Sequence, residues 1–151
     1  MSQNHAPAAL FAPEILGARL VEEMSDALVV SDREGAIRVW NKAAERIFGF
    51  SEAEALGESL DIITPERLRA RHWQGYDQTM RTGRTRYGAG DLLSVPAICK
   101  DGRTISVQFS ILPLTDADGE MQGVAAIMRD VTDDFAERKA LRAELAQLKR
   151  G

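Results

Sequence analysis

The chain has 151 residues, 44% of them hydrophobic and 28% charged, which is enough for one domain with one buried core. A net charge of −4 argues against a nucleic-acid surface, and no apolar run reaches the roughly 18 residues that span a membrane. A lone cysteine, Cys99, excludes an internal disulfide, and the lack of any Cys-x-x-Cys pair argues against a zinc cluster or covalently attached haem.

Residues 1–12 read as a flexible tail without the basic segment and apolar core of a secretory signal, so a cytoplasmic protein is expected. An amphipathic helix is predicted over 13–26, with Pro13 and Glu14 in its first turn and Ile15, Leu16, Leu20, Val21 and Met24 at helical spacing. Ala27 to Ser31 reads as a strand, Asp32-Arg33-Glu34-Gly35 as a hairpin turn and Ala36 to Trp40 as its partner strand. Asn41 can cap a helix with an apolar side of Ala44, Ile47 and Phe48, and Ser51-Glu52-Ala53-Glu54 is a capping box for another.

Thr64-Pro65-Glu66 starts a longer helix predicted to run to Thr82 and stop at Gly83. Leu68, His72, Tyr76 and Met80 share one of its faces at i, i+4 spacing. Three strands follow, over Gly90–Ile98, Thr104–Leu114 and Gln122–Arg129. In the second of these, Val107, Phe109 and Ile111 alternate with Gln108 and Ser110, the pattern of a strand with one buried face. The segment 133–151 is a charged helix with a narrow apolar stripe, Phe135, Leu141, Leu145 and Leu148, suited to a two-helix seam. No nucleophile–base pair, phosphate loop or paired catalytic carboxylates stand at recognisable spacing, so no enzyme is expected.

Several of these pieces together resemble PAS (S-box) domains over about residues 16–132. They are Asp32-Arg33-Glu34-Gly35, Ile37-Arg38-Val39-Trp40-Asn41, Phe48-Gly49-Phe50-Ser51, Lys100-Asp101-Gly102 and Arg129-Asp130-Val131-Thr132. The resemblance implies an α+β fold: a five-stranded antiparallel sheet with short helices and one long helix on one face, flanked by N- and C-terminal helices. The sensor domain would then be 27–132.

Within that family, Arg71-His72 with Tyr76 is similar to the Arg-His-x-x-Tyr element of the oxygen-sensing haem PAS domain of FixL-type sensor kinases, one residue longer between His and Tyr. The resemblance implies non-covalent haem b with His72 as the proximal iron ligand, and a diatomic gas bound against Phe109 and Ile111. Val107, Leu68, Tyr76, Ile98 and Met128 would line the rest, and Arg86 (or Arg84) would pair with a propionate. The alternative for His72 is a helix histidine that packs without metal. Where FixL-type domains carry an arginine after Gly-x-Gly, Gly88-Ala89-Gly90 is followed by Asp91. An ionised carboxylate accepts but does not donate, which predicts either a site less selective for oxygen over CO or NO, or one in which a nearby side chain such as Arg86 or Tyr87 takes the arginine's place. Cys99 lies beside the Lys-Asp-Gly turn rather than in the Asn-Cys-Arg motif of light-sensing relatives, which excludes their flavin–thiol photocycle. The expected partners are a second copy through the terminal helices and a downstream signalling protein. The runner-up function is a cofactor-free PAS module for dimerisation or docking, or one that binds a small organic metabolite.

Overall fold

A computed structural model describes residues 9–84 and 93–150. After helix α1 (Pro13–Glu23), strands β1 (Ala27–Asp32) and β2 (Ile37–Trp40) form a hairpin. The short helices α2 (Lys42–Phe48) and α3 (Glu52–Ala55) follow, then two 3-10 turns, the long helix α4 (Arg69–Thr82), strands β3 (Leu93–Ile98), β4 (Thr104–Thr115) and β5 (Met121–Asp130), and helix α5 (Thr132–Arg150). The five strands make one sheet in the order β2-β1-β5-β4-β3, every neighbour antiparallel. This is the α+β arrangement expected. No helix among the described residues is long and apolar enough to cross a membrane.

Local chemistry sets the boundaries. Asp32 Oδ1 accepts from the backbone N–H groups of Glu34 and Ala36, closing the hairpin, and Gly35 takes the left-handed φ of 81° that the turn needs. Asn41 caps α2 through Ala44 N–H, and Ser51 with Glu54 completes the capping box of α3. The predicted 66–82 helix is divided: Glu66–Leu68 forms a tight 3-10 turn and α4 proper starts at Arg69. Proline tolerates this start because its missing N–H is one that the first turn leaves unpaired anyway. Pro96 and Pro113 sit in strands without breaking the sheet. β3 is an edge, and β4 runs past the end of β3 before it reaches Pro113.

One face of the sheet carries the core. Ala27, Val29, Ile105, Val107, Val124, Ala126 and Met128 point toward α2, α3 and α4, where Trp40, Phe48, Ile63, Tyr76 and Met80 meet them. Trp40 and Phe48 pack with ring centroids 5.4 Å apart, and the Trp40 indole N–H donates to the Phe50 carbonyl. At Gly123, β5 passes so close to β1 that a Cβ would lie 2.1 Å from the Ser31 carbonyl oxygen. The opposite face is less covered: Leu112 is 61% exposed and Ile127 40%.

Candidate functional site

Helix α4 is fastened to the β1–β2 hairpin by two aromatic side chains, Tyr76 and Trp73, with His72 packed against both. The Tyr76 hydroxyl shares a hydrogen bond of 2.9 Å with Ser31 Oγ and donates to the Asp32 carbonyl. The Trp73 indole lies over Gly35, where a Cβ would fall 2.1 Å from its ring, and its N–H donates to Asp61 Oδ1 at 2.7 Å. His72 stands edge-on to Trp73, centroids 4.7 Å apart, and is 5.9 Å from the Tyr76 ring. Burial raises the pKa of the Tyr76 phenol, with the Ser31 hydrogen bond opposing it, so the ring stays neutral.

His72 differs from its two neighbours. Its Nδ1 is buried and has no hydrogen-bond partner. Burial holds its pKa below the usual histidine value, against the opposing pull of the Asp61 carboxylate, so the neutral imidazole is favoured. A metal ligand needs a neutral imidazole with one nitrogen that no protein group occupies, and its other ring nitrogen is ordinarily held by an acceptor; His72 meets the first two conditions. Among the described residues no three His, Cys, Asp or Glu side chains cluster as a cage for a bare ion. A single histidine could instead serve an iron already held by a macrocycle. Among the described residues His72 is the one that would hold a haem iron.

The other expected site residues divide by strand register. Val107, Phe109 and Ile111 project from the core face of β4, and Met128 pairs with Phe109 across the β4–β5 ladder, so these four form one apolar surface. Val107 and Met128 are buried, Phe109 and Ile111 half-buried. Tyr76 reaches the core from α4, with its hydroxyl already engaged by β1. Ile98 does not join them. It pairs with Thr104, one step out of phase with Ala97 and Ile105, and so lies on the opposite face of the sheet. Leu68 closes the 3-10 turn rather than sharing the α4 register with His72, and it is half-buried. Arg86 and the residues around Asp91 lie outside the described residues.

Sequence reasoning gave no role to Trp73, Ser31 or Asp61. Trp73 stands three residues before Tyr76, the spacing at which the FixL-type element has its histidine, and one helical step turns a side chain by about 100°. The signal for its role was the glycine at Gly35, where only a bare Cα admits the indole.

The fold has known counterparts. A family model described as PAS fold matches residues 21–134. The sensor protein FixL of Bradyrhizobium diazoefficiens is 33% identical over 130 residues, 85% of this chain and 24% of that protein. The sensor histidine kinase TmoS of Ectopseudomonas mendocina is 26% identical over 140 residues (93% and 14%), and the oxygen sensor protein DosP of Escherichia coli 24% over 123 residues (82% and 15%). The chain thus spans less than a quarter of the length of each of these relatives. Among solved structures, a PAS domain from Colwellia psychrerythraea superposes with a TM-score of 0.68 at 21% identity, covering 81% of this chain and 99% of that one. An RNA-binding light-oxygen-voltage receptor gives the same score at 23% identity, covering 99% and 41%. With the sheet order, the capped short helices and the long helix over the core face all in place, the matched family accounts for most of the chain, and the protein belongs to the PAS family.

Proposed function

We propose that this PAS domain senses a diatomic gas through non-covalent haem b held by His72, and passes the result through its terminal helices to a partner protein. The observation that carries this reading is the buried, unpartnered Nδ1 of His72 on a ring kept neutral by burial. When bound, the iron supplies a coordination position for O2, CO or NO. His72 would hold the group from α4, and the apolar surface of Val107, Phe109, Ile111 and Met128 would keep water from it. A relative named as an oxygen sensor supports the ligand class, and one named as a sensor histidine kinase supports a downstream signalling partner.

The signal would leave by helices with apolar side chains free to pair. Ile15 and Leu20 of α1, and Phe135, Leu141, Leu145 and Leu148 of α5, are all exposed. A second copy covering them makes a homodimer with paired terminal helices. The domain has no catalytic role of its own in this reading.

Absorption spectra of wild type and His72→Ala, both expressed with haem precursor, test the site. A Soret band in wild type that is lost or shifted in the variant is expected, with circular dichroism showing that the variant folds. A band unaffected by the substitution moves the ligand to another residue. Colourless wild type that takes up no added haemin sinks the gas-sensor reading. It would favour the second reading, a cofactor-free or metabolite-binding PAS module, which the tight seating of Trp73 on Gly35 and of Tyr76 on β1 supports.

A further inference from the structure

The centre of the sheet brings the two ends of the domain together. Ala27 pairs with Met128, so the residue before β1 and the residue near the end of β5 face each other where α1 hands over to the sheet and the sheet hands over to α5. Asp26 and Arg129 occupy those two positions. The Arg129 guanidinium grips the Asp26 carboxylate with both Nε (3.2 Å to Oδ1) and Nη2 (3.1 Å to Oδ2), the two-pronged geometry in which arginine holds a carboxylate best.

Each partner of that pair is itself rooted in a helix junction. On the incoming side, Asn41 Nδ2 donates to the carbonyls of Val21 (2.8 Å) and Asp26 (3.1 Å), and Arg46 Nη2 donates to the carbonyl of Ser25 (2.9 Å). Ser25 to Asp26 is therefore fixed to α2 through its carbonyls, and to β5 through one carboxylate. On the outgoing side, Asp130 Oδ1 accepts from the Thr132 N–H (3.0 Å), and Thr132 Oγ1 accepts from the Ser106 N–H (3.0 Å). Arg129 is one residue from this cap. The pair also lies in a cleft of about 340 Å³ lined in part by Arg46, Arg103 and Asp130, so solvent ions reach it.

We propose that the Asp26–Arg129 pair is a clamp that makes α1 and α5 loosen or tighten together, so that the two terminal helices report one state of the sheet rather than two. This rests on the reading that the terminal helices carry the signal. A shift of β5 relative to β1 changes the geometry of both hand-over points at once, because one bidentate contact bridges them. Asp26 is 23% exposed and Arg129 66%, so the contact is of the modest, salt-screened kind that a small strain can open.

Amide hydrogen exchange on the ligand-free chain tests this without any cofactor. Asp26→Asn should raise exchange about two- to fivefold both at the C-terminal turn of α1 and at the first turn of α5, the range an exposed ion pair permits. Arg129→Gln should do the same, and the double charge exchange, Asp26→Arg with Arg129→Asp, should restore protection at both. Exchange that rises at one terminus alone, at neither, or that the double exchange fails to restore overturns the clamp. A colourless protein with coupled exchange would keep the clamp and sink only the gas-sensor reading, so the two fail separately.

Discussion

Gly35 serves the structure twice. Its φ of 81° closes the β1–β2 hairpin, and its missing side chain leaves the space that the Trp73 ring fills. Gly57 has nearly the same φ, 84°, but nothing within 4 Å of an added Cβ, so it isolates the backbone effect from the packing effect. Gly57→Ala is expected to cost about 1 kcal/mol, the strain of a left-handed alanine. Gly35→Ala adds the displacement of an indole and should cost about 2–4 kcal/mol by urea titration. In a Trp73→Ala background the two glycine substitutions should cost the same; a persisting gap would mean that the indole is not what Gly35 accommodates. The turn role of Gly35 was legible in Asp32-Arg33-Glu34-Gly35 alone. Its packing role was not, because Trp73 is 38 positions away and nothing local announces the contact. His72 shows the same limit: the helix face it shares with Tyr76 follows from i, i+4 spacing, but the missing partner of its Nδ1 is a property of the assembled core.

Short elements are held by contacts between turns. The β3–β4 turn docks on the end of α2 through the Lys100 N–H to the Phe48 carbonyl, and on α3 through Lys100 Nζ to Glu54 Oε2 at 2.5 Å. The Lys100 ammonium first, and then the Ser51 N–H of the capping box, lower the Glu54 carboxyl to about 2. Because the folded value lies below the ordinary one near 4.5, the contribution of Glu54 to stability is fully present above about pH 4.5. It is lost as the pH falls toward 2. Glu54→Gln should therefore lower the urea midpoint at pH 7, and the gap from wild type should close by pH 2; a gap independent of pH would remove the charge from the explanation. At this scale the capping box, the Asn41 cap and the strand alternation of β4 were readable from sequence, since each is a pattern over four to eight residues. The 3-10 turn at Glu66–Leu68 was not, because Pro65 permits either helix geometry and the choice lies with packing. The facing of Ile98 was also missed. A run of small and apolar residues along an edge strand carries no alternation that would mark its buried side.

For the molecule as a whole, no residue of α5 is buried, so the helix adds little to the domain it leaves. Deleting 133–151 while keeping Thr132, whose hydroxyl holds the Ser106 N–H, is expected to leave the urea midpoint almost unchanged. The same deletion should shift the size-exclusion profile from dimer to monomer. A monomeric full chain would remove the homodimer from the proposal. The family was legible in a handful of turn and strand motifs because a PAS sheet depends on a few fixed backbone positions. The clamp between its ends was not, because Asp26 and Arg129 are ordinary surface residues until the topology sets them side by side. That topology also governs how the protein is made. β1 and β5 are central neighbours although about a hundred residues separate Ala27 from Met128. During synthesis, the first strand to emerge must wait for the last before it has its inner partner, and closing so long a loop makes folding slow relative to a local hairpin. A ribosome that has released only the first four strands therefore exposes an unfinished sheet with its middle missing. The domain becomes a folded object only when the stretch leading into α5 has cleared the exit tunnel.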